Sequence, residues 1–296
     1  MGAVVDQEII VADGRRLLVR DHGGGSDVAV LVLDGTPGSR LVFEDDVASA
    51  DRHGIRLISY DRPGFGGSDP RPARSVGDCV DDVRAIVASL GVTRCGVWGV
   101  SGGGPHALAC AALLPDLVGA VAVLASPAPW GAEGLDYFDG MGELNVADTR
   151  LMLADPAAAR EKFDQDRGEM LAADLPALIA MLQSLLAPVD LAVLTERLGA
   201  FALESMRTAL APGAEGWWED SWALMQPWGF ALDAIRTPVL YLHGRHDRFV
   251  PFPQGEWLAS RIPGVESVLS DHDGHLSLVV NHLDGVHAWL RGQLTR

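Results

Sequence analysis

The chain has 296 residues, 48% hydrophobic and 21% charged, with a formal net charge of −17. A chain this long buries roughly three quarters of its unfolded surface, enough for one α/β domain with an insertion or for two small domains. Its acidity argues against nucleic acid or an anionic membrane surface as a partner, and no apolar run reaches the ~18 residues of a membrane span.

Lys162 is the only lysine, and the basic residues are otherwise arginine. Cys79, Cys95 and Cys110 are widely spaced and form no C-x-x-C pair, the pattern of buried free thiols in a reducing compartment. Residues 1–20 mix acidic, apolar and basic side chains with neither a basic n-region nor an apolar h-region, so no signal peptide is expected. The expectation is a cytoplasmic protein with no membrane or nucleic-acid partner.

In chain order, Gln7–Val11 and Arg16–Arg20 flank Asp13-Gly14 and predict an antiparallel pair. Val28–Leu33 is continuously apolar, as a parallel strand covered on both faces must be. It ends in a turn-rich loop, Asp34-Gly35-Thr36-Pro37-Gly38-Ser39. A helix is predicted over Leu41–Asp51 and a strand over Ile55–Tyr60, followed by the loop Asp61-Arg62-Pro63-Gly64-Phe65-Gly66-Gly67-Ser68-Asp69. Val76, Val80, Val83, Val87 and Leu90 recur on one helical face, leaving Asp78, Asp81 and Asp82 off the stripe and solvated. A strand at Val118–Ala125 follows. Strand and helix alternate, which predicts a mainly parallel, doubly wound sheet.

Past Pro127 the alternation stops. Ala157–Lys162, Ala177–Leu186 and Leu191–Met206 read as helices, and no strand is evident before Val239–His243. A helix near Gly255–Arg261, a strand at Val265–Leu269 and a helix around Leu283–Leu294 complete the chain. The expected organisation is a core of residues 1–130 and 232–296, with a helical cap, residues 131–231, inserted after the sixth strand.

Between the strand starting at Cys95 and a small-residue helix lies Gly99-Val100-Ser101-Gly102-Gly103. This G-x-S-x-G pattern is that of a nucleophile elbow, where the serine sits in strained backbone and strand and helix cross too closely for flanking Cβ atoms. Gly102, Gly103 and Gly104 followed by Pro105 put bare N–H groups at a helix start, where the dipole favours developing negative charge.

A serine needs a base, and the base an orienting carboxylate. Downstream, the strand Val239–His243 leads into Gly244-Arg245-His246-Asp247, and Val265–Leu269 leads into Asp271-His272-Asp273-Gly274-His275. An acid after one strand and a histidine after the next is the order of elbow hydrolases. His272 competes with His275 as base. Asp233 competes with Asp247 as acid but precedes its strand. His243-x-x-His246-Asp247 and His272-x-x-His275 also offer zinc-type ligands, although a complete Ser/His/Asp set has no need of a metal. The other histidines, His106 included, are expected to be packing or surface residues.

On these motifs, together with Tyr60-Asp61-Arg62-Pro63-Gly64-Phe65-Gly66-Gly67-Ser68 and Val250-Pro251, nearly the whole chain resembles the α/β-hydrolase superfamily, in its esterase or proline-iminopeptidase-like branch. The resemblance implies a triad of Ser101 (nucleophile), His275 (base, then acid) and Asp247 (orienter), with no cofactor or metal. It further implies an oxyanion hole made by the backbone N–H groups of Gly102 and Thr36. Where family members commonly begin the oxyanion loop His-Gly, this chain has Asp34-Gly35. The expectation is that Asp34 is a paired, structural acceptor, with Arg40 or Arg62 to offset its charge. A serine at the elbow excludes the epoxide hydrolases and dehalogenases of this fold, which use aspartate there. Esterases, lactonases, C–C bond hydrolases, aminopeptidases and cofactor-free perhydrolases remain.

Trp217, Trp218, Trp222 and Trp228 crowd one stretch and, with Trp130, would wall an apolar substrate pocket or pack the cap against the sheet. Either arrangement favours a small apolar substrate. An iminopeptidase would need cap carboxylates to hold a free amine, and Glu133, Asp136, Asp139, Glu143, Glu219 and Asp220 are available. A third reading is a small-ligand receptor that keeps the triad and turns over slowly.

Overall fold

The computed structural model describes residues 4–23 and 26–296; residues 1–3 and 24–25 of the expected core lie outside the described residues. The strands are β1 (Val5–Ile10), β2 (Arg16–Asp21), β3 (Ala29–Leu33), β4 (Arg56–Tyr60), β5 (Cys95–Val100), β6 (Val118–Leu124), β7 (Val239–Gly244) and β8 (Glu266–Ser270). They form one sheet in the order β1-β2-β4-β3-β5-β6-β7-β8. β2 pairs antiparallel with β1 and β4, and every other ladder is parallel. This is the α/β-hydrolase arrangement: a mainly parallel, doubly wound sheet.

The helices in the first half are α1 (Glu44–Arg52), α2 (Cys79–Ser89) and α3 (Gly103–Leu113). Between β6 and β7 come α4 (Glu143–Ala154), α5 (Pro156–Ala172), α6 (Leu175–Met181), α7 (Pro188–Val193), α8 (Glu196–Leu210) and α9 (Glu215–Leu224). The last two are α10 (Phe252–Arg261) and α11 (His275–Leu294).

Successive strand residues point to opposite faces, so the sheet feeds two cores. Leu31, Val97 and Tyr241 face Val83 and Ile86 of α2, Leu108 of α3 and Leu258 of α10. Val30, Val32 and Trp98 face Ala50 of α1 and Leu278, Val286 and Leu290 of α11. A third cluster belongs to the helical insertion: Phe163, Leu210, Trp217 and Trp218 gather around Phe65, which the core supplies from the loop after β4.

Local chemistry sets the helix starts inside the insertion. Asp155 accepts from the Ala158 N–H (3.1 Å) ahead of Pro156, Asp174 from Ala177 (3.0 Å), and Thr195 from Leu198 (3.2 Å). The Thr195 cap splits the single helix expected over Leu191–Met206 into α7 and α8. The helix expected to run to Leu186 ends at Met181. At the far end, α11 begins at His275, eight residues before the expected Leu283.

Asp82 is also corrected. It is buried, because Arg15 reaches down from the β1–β2 turn and pairs with it at 2.7 Å.

Topology fixes where the site lies. From β3 the chain steps to β4 on one side and then crosses to β5 on the other. The carboxyl ends of β3 and β5 therefore flank the point where strand order reverses, the preferred ligand crevice of an open α/β sheet.

Candidate active site

Ser101 follows β5 directly and has φ +52°, in the left-handed region that a serine occupies at a cost. The turn closes because its neighbours lack side chains. A Cβ on Gly99 would lie 2.5 Å from the Gly103 carbonyl oxygen, and one on Gly103 would overlap the Leu33 and Asp34 carbonyls. Backbone bonds pin the elbow: the Ser101 N–H donates to Leu124 O and the Gly104 N–H to Ser101 O, each at 2.9 Å. Among the described residues Ser101 Oγ enters no hydrogen bond, and its engagement by His275 belongs to the proposed mechanism.

Asp247 and His275 meet. The imidazole Nδ1 and Asp247 Oδ2 are 2.7 Å apart, and both side chains are buried. The other carboxylate oxygen accepts the N–H groups of Phe249 and Val250, each at 2.9 Å. Phe249 also stacks on the imidazole, centroid to centroid 4.6 Å. Ring plane and carboxylate are thus both fixed. Burial alone would lower the pKa of His275, but the charge and hydrogen bond of Asp247 and the charge of Asp190 raise it above its ordinary value. His272, by contrast, is exposed. His243 is buried with both nitrogens engaged, Nδ1 by Tyr241 OH (2.8 Å) and Nε2 by Val250 O (2.9 Å).

The loop after β3 lies against the elbow. A Cβ on Gly102 would strike the Thr36 side chain, so the two backbones approach as closely as glycine allows. Asp34 accepts from the Gly35 N–H (2.8 Å) and the Ser39 N–H (3.3 Å), bracing its own loop. Burial raises its pKa, and Arg62 opposes that shift. Arg40 is turned away and pairs with Asp61 and Asp6.

Arg62, from the loop after β4, grips the same segment. One Nη donates to the Asp34 carbonyl; the other donates to the Gly35 carbonyl (2.7 Å) and to Thr36 Oγ1 (3.0 Å). The Thr36 hydroxyl in turn donates to Asp220 Oδ2 at 2.6 Å. Asp220 comes from α9 and is fully buried; it binds Arg62 at 2.5 Å and Arg74 at 2.9 Å. Burial alone would raise the pKa of this carboxyl, but Arg62, Arg74 and His106 hold it far below the carboxylate range. His106, in the first turn of α3, bonds the Gly102 carbonyl through Nδ1 (2.8 Å), and burial lowers its pKa to about 4.

A family model of the alpha/beta hydrolase fold matches residues 28–282. The chain belongs to the α/β-hydrolase family. It is 27% identical over 282 residues to a 2-hydroxy-6-oxononadienedioate/2-hydroxy-6-oxononatrienedioate hydrolase of Cupriavidus pinatubonensis, covering 90% of this chain and 88% of that one. It is 28% identical to the AB hydrolase superfamily protein YisY of Bacillus subtilis, covering 88% of each. Among solved structures, the esterase RhEst1 of a Rhodococcus species superposes with a TM-score of 0.69 at 22% identity, over 96% of this chain and 98% of that chain. The family match and the likeness to relatives named hydrolases support hydrolase activity.

In this α/β-hydrolase the tryptophans divide. Trp217 and Trp218 are buried in the insertion's own cluster, where half-buried Trp130 and Trp222 pack against it. Trp218 stacks on Trp222 at 5.5 Å and carries the Arg160 guanidinium on its ring. Trp228 sits elsewhere, in the sheet's core with Val76 and Ala223, its indole donating to Leu224 O at 3.3 Å. It packs the insertion onto the core and stands apart from the insertion's aromatic group.

The sequence does not mark Arg74, His106 or Asp190 as parts of the site's scaffold, and it offers Arg62 only as an offset to the charge of Asp34. For Asp220 a signal existed: an acid between Trp218 and Trp222 on an aromatic helix must be either solvated or buried with cations. For Asp190, in a short helix with no such neighbours, the sequence carries none.

Proposed function

We propose that this hydrolase cleaves an ester or related acyl bond of a small apolar substrate through an acyl-Ser101 intermediate, with residues 131–231 acting as a cap. Ser101 Oγ attacks the carbonyl carbon while His275 Nε2 takes its proton, and Asp247 holds the Nδ1–H and stabilises the imidazolium. The N–H groups of Gly102 and Thr36 receive the oxyanion. His275 returns the proton to the leaving group and then activates the water that releases the acid. The observation that carries this reading is the buried 2.7 Å contact of His275 Nδ1 with Asp247 Oδ2 at the carboxyl edge of the sheet that also bears Ser101. Half-buried Trp130 and Trp222 supply the apolar surface that favours such a substrate.

The iminopeptidase reading loses two of its carboxylates. Asp220 is bound by two arginines, and Glu219 by Arg160 and the Ala73 N–H, while Glu133, Asp136, Asp139 and Glu143 are exposed. A second reading, cleavage of a 2-hydroxy-6-oxo-dienedioate, is favoured by the full-length likeness to hydrolases of that name. A panel of p-nitrophenyl esters, aminoacyl arylamides and such a dienedioate separates the readings, run alongside a fluorophosphonate label. Labelling of Ser101 and ester turnover lost in Ser101→Ala are the expected results. Labelling of a different serine, or full turnover in Ser101→Ala, ends the serine-hydrolase reading, and tight product retention with slow turnover favours a receptor.

A further inference from the structure

The first turn of α11 raises an accounting question. Its first three N–H groups have no partner within the helix, and the residue ahead of it, Gly274, has no side chain to cap them. Their partner comes from the insertion. Asp190 of α7, fully buried, accepts from the N–H groups of His275 (3.2 Å), Leu276 (2.9 Å) and Ser277 (3.0 Å) and from Ser277 Oγ (3.0 Å). Ser277 Oγ also accepts the Gly274 N–H at 2.8 Å, closing the ring of bonds. Gly274 is required here: a Cβ on it would lie 2.7 Å from the Asp190 Cγ. The carboxylate occupies the space that a local capping side chain would fill.

We infer that Asp190 is a positioning residue for His275: a capping carboxylate supplied across the chain by the insertion, which fixes the backbone of the base and adds negative charge beside its ring. This inference rests on the reading of His275 as the general base. Its physical content is twofold. A carboxylate at a helix N-terminus gains from the dipole and from charge-assisted bonds to the amides. It also favours the imidazolium that forms when Ser101 gives up its proton.

The other groups facing His275 are few. Asp247 and the stacked Phe249 come from the segment after β7, and buried His243 comes from β7 itself. Asp273, just upstream, directs its carboxylate to Ser270, Asn281 and His282. Removing Asp190 therefore leaves Asp247 as the one carboxylate named here that raises the His275 pKa.

The test pairs kinetics with NMR titration of isotope-labelled histidine. In Asp190→Asn, which keeps the shape and loses the charge, the His275 titration and the rising limb of kcat/KM should both move to lower pH. In Asp190→Ala, kcat should fall by about 100-fold, the loss expected from ~1 Å of misplacement, with KM little changed. The double variant Asp190→Ala with Gly274→Asp returns a capping carboxylate from the other side of the same space, so kcat and the titration should recover. A residue that merely fills space would give no such rescue. If Asp190→Asn is too unstable to titrate, the double variant carries the test, and a folded double variant that recovers neither kcat nor the His275 titration overturns the inference. A folded Asp190→Asn whose His275 titrates as in the parent overturns the inference. Because NMR reads His275 without turnover, that result stands apart from failure of the parent to label at Ser101, which would overturn only the acyl-serine reading.

Discussion

The two flanks of the candidate site are held by the insertion in opposite electrostatic senses. On the histidine flank, Asp247 bonds the imidazole and Asp190 the backbone N–H of the same residue, and both charges raise its pKa. On the oxyanion flank, Asp220 is shared between Arg62 and Arg74. Those two guanidiniums balance Asp220 and the neighbouring Asp34. The proposed reaction needs this difference: negative charge where an imidazolium would form, and no excess of it where an oxyanion would form. Each flank hangs on one buried aspartate of the insertion. The insertion therefore supplies part of the scaffold of the candidate site.

The severest way to break the comparison is Asp220→Ala. It leaves Arg62 and Arg74 buried without their shared partner and frees the Thr36 hydroxyl. Breaking a buried ion pair by removing one member costs about 3–5 kcal/mol. Urea unfolding should show a loss of that order, with a large fall in kcat. A loss below about 1 kcal/mol would mean that water or rearranged neighbours replace the carboxylate and that the flank does not depend on the insertion.

Next comes Thr36→Val, which keeps the shape and removes the hydroxyl held between Asp220 and Arg62. A hydrogen bond to a charged group contributes about 1.5–3 kcal/mol, so kcat/KM should fall roughly tenfold or more through a loosened loop. Thr36→Ser should retain most of the parent activity. Equal loss in the two variants would place the effect in packing, since both variants disturb the methyl–hydroxyl pair but only one loses the donor.

The histidine flank is sharpened by pH. The pKa of His275 is raised, so at pH 6.5, the ordinary histidine value, less than half of the imidazole is neutral. Only the neutral form accepts the serine proton. The limb of kcat/KM should accordingly rise with pH through a midpoint above 6.5, and His272→Ala should leave it in place. A midpoint at or below 6.5 with chemistry limiting would mean that burial outweighs the two carboxylates.

How much of this was legible in the sequence differs between the flanks for a physical reason. Chemistry confined to a local stretch leaves a local mark. The glycines around Ser101 are demanded by a crossing of strand and helix, and β3 and β6 announce themselves by unbroken apolar runs. Strand order sets Asp247 and His275 after adjacent strands, and the two side chains lie 2.7 Å apart. The scaffold bonds are long-range. Asp190 reaches His275 across 85 residues and Arg62 reaches Asp220 across 158, and no periodicity encodes such pairings. Asp34 stands between these cases: it accepts backbone N–H groups of its own loop, a local pairing, while Arg62, on the loop's carbonyls beside it, comes from 28 residues away. Asp82, expected in water, failed for the long-range reason, since Arg15 lies 67 residues away.

The mildest test asks whether any ionic link between insertion and core matters, or only a buried one. Arg197 of α8 contacts Glu44 (2.5 Å) and Asp45 (2.8 Å) at the start of α1, so it spans the same two regions as Asp190 and Asp220. Its geometry is as short as theirs. The difference lies in solvent: the arginine and both acids are exposed, so water and salt screen the attraction, and three flexible side chains lose entropy to meet. Exposed Arg197 also lies over the half-buried Phe43 ring at 5.7 Å, and water weakens that contact from the arginine's side. Arg197→Ala should therefore leave kcat, KM and the pH limb unchanged and move the melting temperature little, with that small change vanishing at high salt. A loss of activity comparable to that of Asp220→Ala would show that the insertion is held mainly at its exposed rim, and the contrast drawn between the two buried aspartates and the rest of the interface would fail.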